Sequence, residues 1–121
     1  MSASRSKAST EVAMCNEVRL VGRISREPQE RVLPSGDSVW TFRVVVPREQ
    51  AAGRSRQTVD ALECAAWTAR ARRSVGSWSA DDVVEVVGTL QRRFFRAGGA
   101  VASRVEVEMT SGRVIRRAGN G

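Results

Sequence analysis

Between Gln91 and Arg104 the sequence places four arginines and two adjacent phenylalanines, with no acid among them. The run reads Gln91-Arg92-Arg93-Phe94-Phe95-Arg96, then Gly98-Gly99, then Arg104. On a strand, alternation puts Arg93 and Phe95 on one face and Arg92, Phe94 and Arg96 on the other. A planar ring beside guanidinium groups suits a single-stranded polynucleotide. Unpaired bases stack on the ring at about 1–3 kcal/mol each, while arginine meets phosphate. The competing reading makes one phenylalanine a core cap, but neighbours on a strand point opposite ways and both cannot be core. Of the two, Phe95 is the expected stacking residue.

Trp67 is the second candidate ring. It ends an alternating run, Val59 to Trp67, on the face it shares with Val59, Ala61, Glu63 and Ala65. Leu62, Cys64 and Ala66 make the face that suits a core, so packing alone explains Trp67 poorly, although core or helix packing is its alternative. Trp40 lies in an apolar run with Phe42 and Val44 and reads as core or subunit contact, and Trp78 as core. Further arginines extend the basic surface: Arg54 and Arg56 in the polar segment 48–58, and Arg70, Arg72 and Arg73 on a helical stretch where a solvated face is the plainer reading.

Composition narrows the chemistry. The chain has 121 residues, 20 Lys+Arg against 13 Asp+Glu, a net charge of +7 and no histidine. Such a charge balance points to a polyanionic partner. Without histidine, serine–histidine and cysteine–histidine catalysis and histidine-ligated metal sites are excluded. The two cysteines, Cys15 and Cys64, are too few for a zinc finger. Asp81-Asp82 is the one adjacent carboxylate pair and reads as a loop feature; with Glu63 it is the remote candidate for enzyme chemistry. The expectation is no enzyme, no cofactor and no metal. No apolar run reaches membrane-spanning length and the opening residues lack a signal-peptide core, so a cytoplasmic, reduced, nucleoid-associated protein is expected.

The elements that must position these residues are mostly strands. Val18, Leu20, Gly22 and Ile24 alternate with Arg19, Val21, Arg23 and Ser25 before Glu27-Pro28 breaks the strand. Pro34-Ser35-Gly36-Asp37 is a turn, Val39 to Val46 a strand ended by Pro47, and Val59 to Trp67 the third strand. Ala71, Val75 and Trp78 recur at helical spacing. Val83 to Phe95 is the fourth strand, Ala97 to Ala100 a flexible tip, and Val101 to Met109 the return. Three strands, a helix and a hairpin is the element order of the OB-fold, an all-β five-stranded Greek-key barrel.

The pattern Asn16-x-Val18-x-Leu20-x-Gly22-x-Ile24, with Pro28-x-x-Arg31 and Pro34-x-Gly36, resembles the opening of the bacterial single-stranded DNA-binding proteins. Val84-x-Val86-x-Gly88-x-Leu90 before a basic run and an aromatic resembles their fourth strand. The likeness covers residues 14–110, with 1–13 as a flexible arm and 111–121 as a short basic end. It implies an OB-fold that binds single-stranded DNA without sequence preference in replication, recombination or repair, usually as a homotetramer. Carried over, Trp67 and Phe95 match stacking positions, with Arg92, Arg93, Arg96 and Arg104, and then Arg54, Arg56, Arg72 and Arg73, along the phosphate path.

Four departures accompany the likeness. The family's aromatic in mid-third strand falls at Ala61, another falls near Gln50, and a glycine before the fourth strand is replaced by Asp81. The sequence closes on Arg116-Arg117-Ala118-Gly119-Asn120-Gly121 where many members carry a long tail with an acidic tip. The expectation is an accessory paralogue that recruits no replication proteins through such a tip. Cys15 opens a strand that in this family meets its symmetry mate, so an intersubunit disulfide is a further possibility. The alternative function is an OB-fold interaction subunit of a primosome or recombination complex, with weak DNA or RNA binding.

Overall fold

The computed structural model describes residues 11–49 and 56–119. Its elements are β1 (Val18–Ile24), β2 (Gln29–Val32), β3 (Ser38–Pro47), β4 (Val59–Ala66), α1 (Ala69–Gly76), β5 (Val83–Ala97) and β6 (Ala100–Arg116). The strands run β1-β5-β6-β4-β3 around a barrel that Arg23↔Val45 and Ile24↔Val44 close by joining β1 to β3. All neighbours are antiparallel except β4 and β6, which meet in parallel at Cys64↔Val107 and Ala65↔Glu108. This is the OB-fold expected from the element order. The added element is β2, four exposed residues hydrogen-bonded to the edge of β3.

The glycines of the strand motifs have a steric reason. A side chain at Gly22 would run into the Val45 carbonyl where β1 crosses β3, and one at Gly88 into the Glu108 carbonyl. Only a residue without Cβ lets the backbones approach that closely. Inside the barrel lie Ile24, Phe42, Val44, Cys64, Val84, Val86, Val107 and Met109, with Ala71 and Val75 of α1 closing one end. Trp78 packs edge-to-face on Phe42, ring centroids 5.5 Å apart. Thr68 caps α1 by accepting the Ala71 N–H at 3.1 Å, the N-cap role expected of a threonine. Trp40 is half-buried against this core and touches the Gly76 position of α1.

Four details differ from the sequence reading. Ala65, assigned to the outer face of its strand, is buried, while Leu62, assigned to the core face, is only half-buried. The return strand runs to Arg116 and not Met109, because Thr110 is an extra residue between the pairs Gly88↔Met109 and Val87↔Ser111. Such a bulge inverts the alternation, so the pattern fades while the pairing continues. The Gly98-Gly99 tip is a tight two-residue turn with φ of 60° and 85°, and pairing persists to Ala97↔Ala100. A lone strand pattern reads such glycines as loose, whereas here they supply the left-handed conformations the turn requires.

Candidate nucleic-acid interface

Where β5 and β6 leave the barrel they continue as a paired ribbon, and its cross-strand register decides which side chains meet. Arg93 faces Arg104, Phe95 faces Ala102, and Gln91 faces Glu106. Residues opposite one another share a face. That face looks onto a cleft of about 340 Å³, whose floor and sides include Val39, Thr41, Ala65 and Trp67, with Arg31, Arg93, Phe95, Arg104 and Glu106 around them. Three guanidiniums thus stand against one carboxylate.

Each ring in the cleft carries an arginine. The Arg93 guanidinium lies 5.4 Å from the centre of the Trp67 ring, and that of Arg104 5.6 Å from the Phe95 ring. Phe95 is 42% exposed, and Trp67 is half-buried at the junction of β4 and α1. Arg72 of α1 fixes that junction by donating from Nε to the Trp67 carbonyl at 3.0 Å. Arg72 therefore acts here by holding Trp67, and it does not line the cleft. Trp67 Nε1 is buried and has no hydrogen-bond partner among the described residues.

The sequence-predicted residues separate into groups. Trp67, Phe95, Arg93 and Arg104 come together in the cleft. Arg92 and Arg96 stand on the reverse face of the ribbon with Phe94, which is 69% exposed; Arg92 donates to Ser103 Oγ at 3.1 Å. Arg73 is exposed on the last turn of α1, and Arg56 is exposed ahead of β4. Arg54 and Gln50 lie outside the described residues. Ala61 is exposed on β4, opposite Val45.

Sequence reasoning missed Arg31 and, above all, Glu106. The acid-free stretch ends at Arg104, but Glu106 lies two residues further along the same face, so the cleft is not acid-free. Arg93 donates to Glu106 at 2.9 Å and to Glu108 at 3.4 Å. Alternation along β6 puts Arg104, Glu106 and Glu108 on one face. The register that sets them against Arg93 was the missing piece.

The carboxylates considered for catalysis are engaged elsewhere. Asp82 is buried and accepts from the Ser79 and Ala118 N–H groups at 2.9 and 2.7 Å and from Arg117 at 3.1 Å. Burial pushes its carboxyl up, but the Ala118 and Ser79 amides and Arg117 outweigh that and hold it below the usual range. Asp81 takes the left-handed conformation, φ 72°, at the position where the resemblance implies glycine, and pairs with Arg23 at 3.1 Å. Glu63 pairs with Arg43 at 2.6 Å. Burial drives the Cys64 thiol up to about 12, so it is a neutral core group, while Cys15 is exposed. No cluster of three or more potential metal ligands occurs among the described residues.

A five-stranded barrel with a projecting hairpin and a cleft lined by rings and arginines has the form of a polynucleotide-binding OB-fold module. A model of the single-strand binding protein family matches residues 15–115, and the chain belongs to that family. It is 32% identical over 80 residues to single-stranded DNA-binding protein 3 of Listeria innocua, covering 66% of this chain and 50% of that one. It is 34% identical over 80 residues to single-stranded DNA-binding protein 1 of Staphylococcus aureus, covering 66% and 48%. The chain thus spans about half the length of the curated relatives it matches. Among solved structures it resembles the Plasmodium falciparum SSB in complex with ssDNA, with a TM-score of 0.69 at 19% identity over 88% of this chain and 97% of that one. Among the described residues no helix is long and apolar enough to cross a membrane.

Proposed function

We propose that the protein coats single-stranded DNA without sequence preference, as a non-catalytic homo-oligomer serving replication, recombination or repair. The observation that carries this reading is the pairing of two rings with two guanidiniums in one open cleft, Trp67 with Arg93 and Phe95 with Arg104. Bases stack on the rings and phosphates meet the arginines, first Arg104 and then Arg31, with Arg92 and Arg96 continuing the path over the hairpin. The names of the relatives support the same ligand. Assembly is supported by β1, which among the described residues pairs with β3 only through Arg23 and Ile24, so that the edge from Val18 to Val21 has no described strand beside it on that side. Open strand edges invite pairing with another chain.

Binding of oligo-dT, of a duplex of equal length and of poly-U at stated salt tests the reading. Oligo-dT binds tightest, with a log–log salt slope of about −0.7 per phosphate neutralised. Equal affinity for the duplex refutes it.

A further inference from the structure

One acid stands where the positive charge of the cleft is densest. The Glu106 side chain is only 8% exposed. Among the described residues it and Asp82 are the two buried charged groups, and they differ in what they hold. Asp82 binds backbone amides and so secures the fold. Glu106 binds guanidiniums only: Arg93 at 2.9 Å through one oxygen, and Arg104 at 3.7 Å through the other. A carboxylate bridging two arginines occupies the place a bound phosphate would take between them.

We propose that Glu106 is the affinity-setting residue of the interface, an internal anion that competes with phosphate for Arg93 and Arg104. The inference rests on the single-stranded DNA reading. The two arginines are not held alike. Arg104 has the longer contact and is 58% exposed, so it exchanges carboxylate for phosphate first. Arg93 is held by Glu106 and also by Glu108 at 3.4 Å, so it exchanges after Arg104. Unlike a free arginine, each gains from phosphate only the difference between two anionic partners. A bound strand therefore leaves the cleft faster than it would without Glu106, and polyanions that offer charge but no bases to stack gain little there.

The test compares wild type with Glu106→Gln, which keeps the shape and an acceptor oxygen but removes the charge. Binding to a labelled oligo-dT is followed by anisotropy across a salt series. The variant binds roughly three- to tenfold tighter at low salt. Its log–log slope steepens by about 0.7 for each guanidinium released. Glu108→Gln, at a more exposed position, moves both quantities in the same direction by less. A purely structural role for Glu106 would alter thermal stability and leave the slope alone. Unchanged or weaker binding with an unchanged slope, in variants whose circular dichroism matches wild type, overturns the proposal. If Glu106→Gln does not fold, Glu108→Gln decides it by the same criterion. Wild type that binds oligo-dT while both variants match it overturns this inference only; wild type that does not bind overturns the functional reading as well.

Discussion

Replacing Trp67 isolates the stacking contribution, because the three tryptophans sit in different places. Trp78 is buried in the barrel end and Trp40 is half-buried against the core, whereas Trp67 lines the cleft. A base stacked on an aromatic side chain contributes about 1–3 kcal/mol. Trp67 is half-buried and already carries the Arg93 guanidinium over its ring, a contact of about 0.5–1 kcal/mol at an exposed site. A base that takes that place gains the difference, which points to the lower half of the range. Trp67→Ala then weakens oligo-dT binding by about 1–2 kcal/mol, or five- to thirtyfold. Trp67→Phe keeps a smaller platform and stays within about threefold of wild type.

Emission gives a second, independent reading. Oligo-dT quenches the wild-type tryptophan signal strongly and leaves the signal of Trp67→Phe nearly unchanged, since Trp40 and Trp78 face the core. The assay is a fluorescence titration paired with anisotropy of labelled DNA. Wild-type affinity in Trp67→Ala, together with full quenching in Trp67→Phe, refutes the assignment of the cleft as the base platform.

Two further outcomes follow from groups outside the cleft. Asp82, held below the usual carboxylate range, lends stability that is fully present above its unfolded-state pKa and drains away as the pH falls through its folded-state value. Asp82→Asn therefore lowers the melting temperature at neutral pH and flattens the acid limb of a Tm–pH profile. Part of that limb remains, because Arg113 and Arg19 hold Glu85, and Arg48 holds Asp60, below the ordinary range. A profile parallel to wild type would refute the role. In native protein at neutral pH a thiol reagent modifies Cys15 and spares Cys64, whose thiol is buried and pushed up to about 12; two fast-reacting thiols before denaturation would contradict the packing.

What could be read from the residues was what local chemistry encodes. The alternation from Val18 to Ile24 marks β1 because one face of it turns to the barrel interior. The 71–75–78 spacing marks α1 because Ala71 and Val75 are its buried stripe. The strand β2 carries no such signal: all four residues are exposed, and it is a strand only because the 34–37 turn folds it onto β3. The bulge at Thr110 hid the end of β6 for the same reason, since the pairing is set by Val84–Val87 and not by its own sequence. In the cleft, rings and arginines announced themselves by type. Glu106 did not, because its meaning depends on the register of one strand against another, a long-range property that no window of sequence contains.

The parallel rung between β4 and β6 carries a consequence of a mechanical kind. It is only two residues long, Cys64↔Val107 and Ala65↔Glu108, with slanted hydrogen bonds that are slightly weaker than antiparallel ones. Trp67 follows the end of β4 just beyond it, and Glu106 lies just before it on β6. The two walls of the cleft thus meet across a short parallel rung of one continuous sheet, while each wall is held through a long antiparallel ladder on its far side. A rung so short holds the separation of Trp67 and Glu106 with fewer backbone hydrogen bonds than either flanking ladder provides.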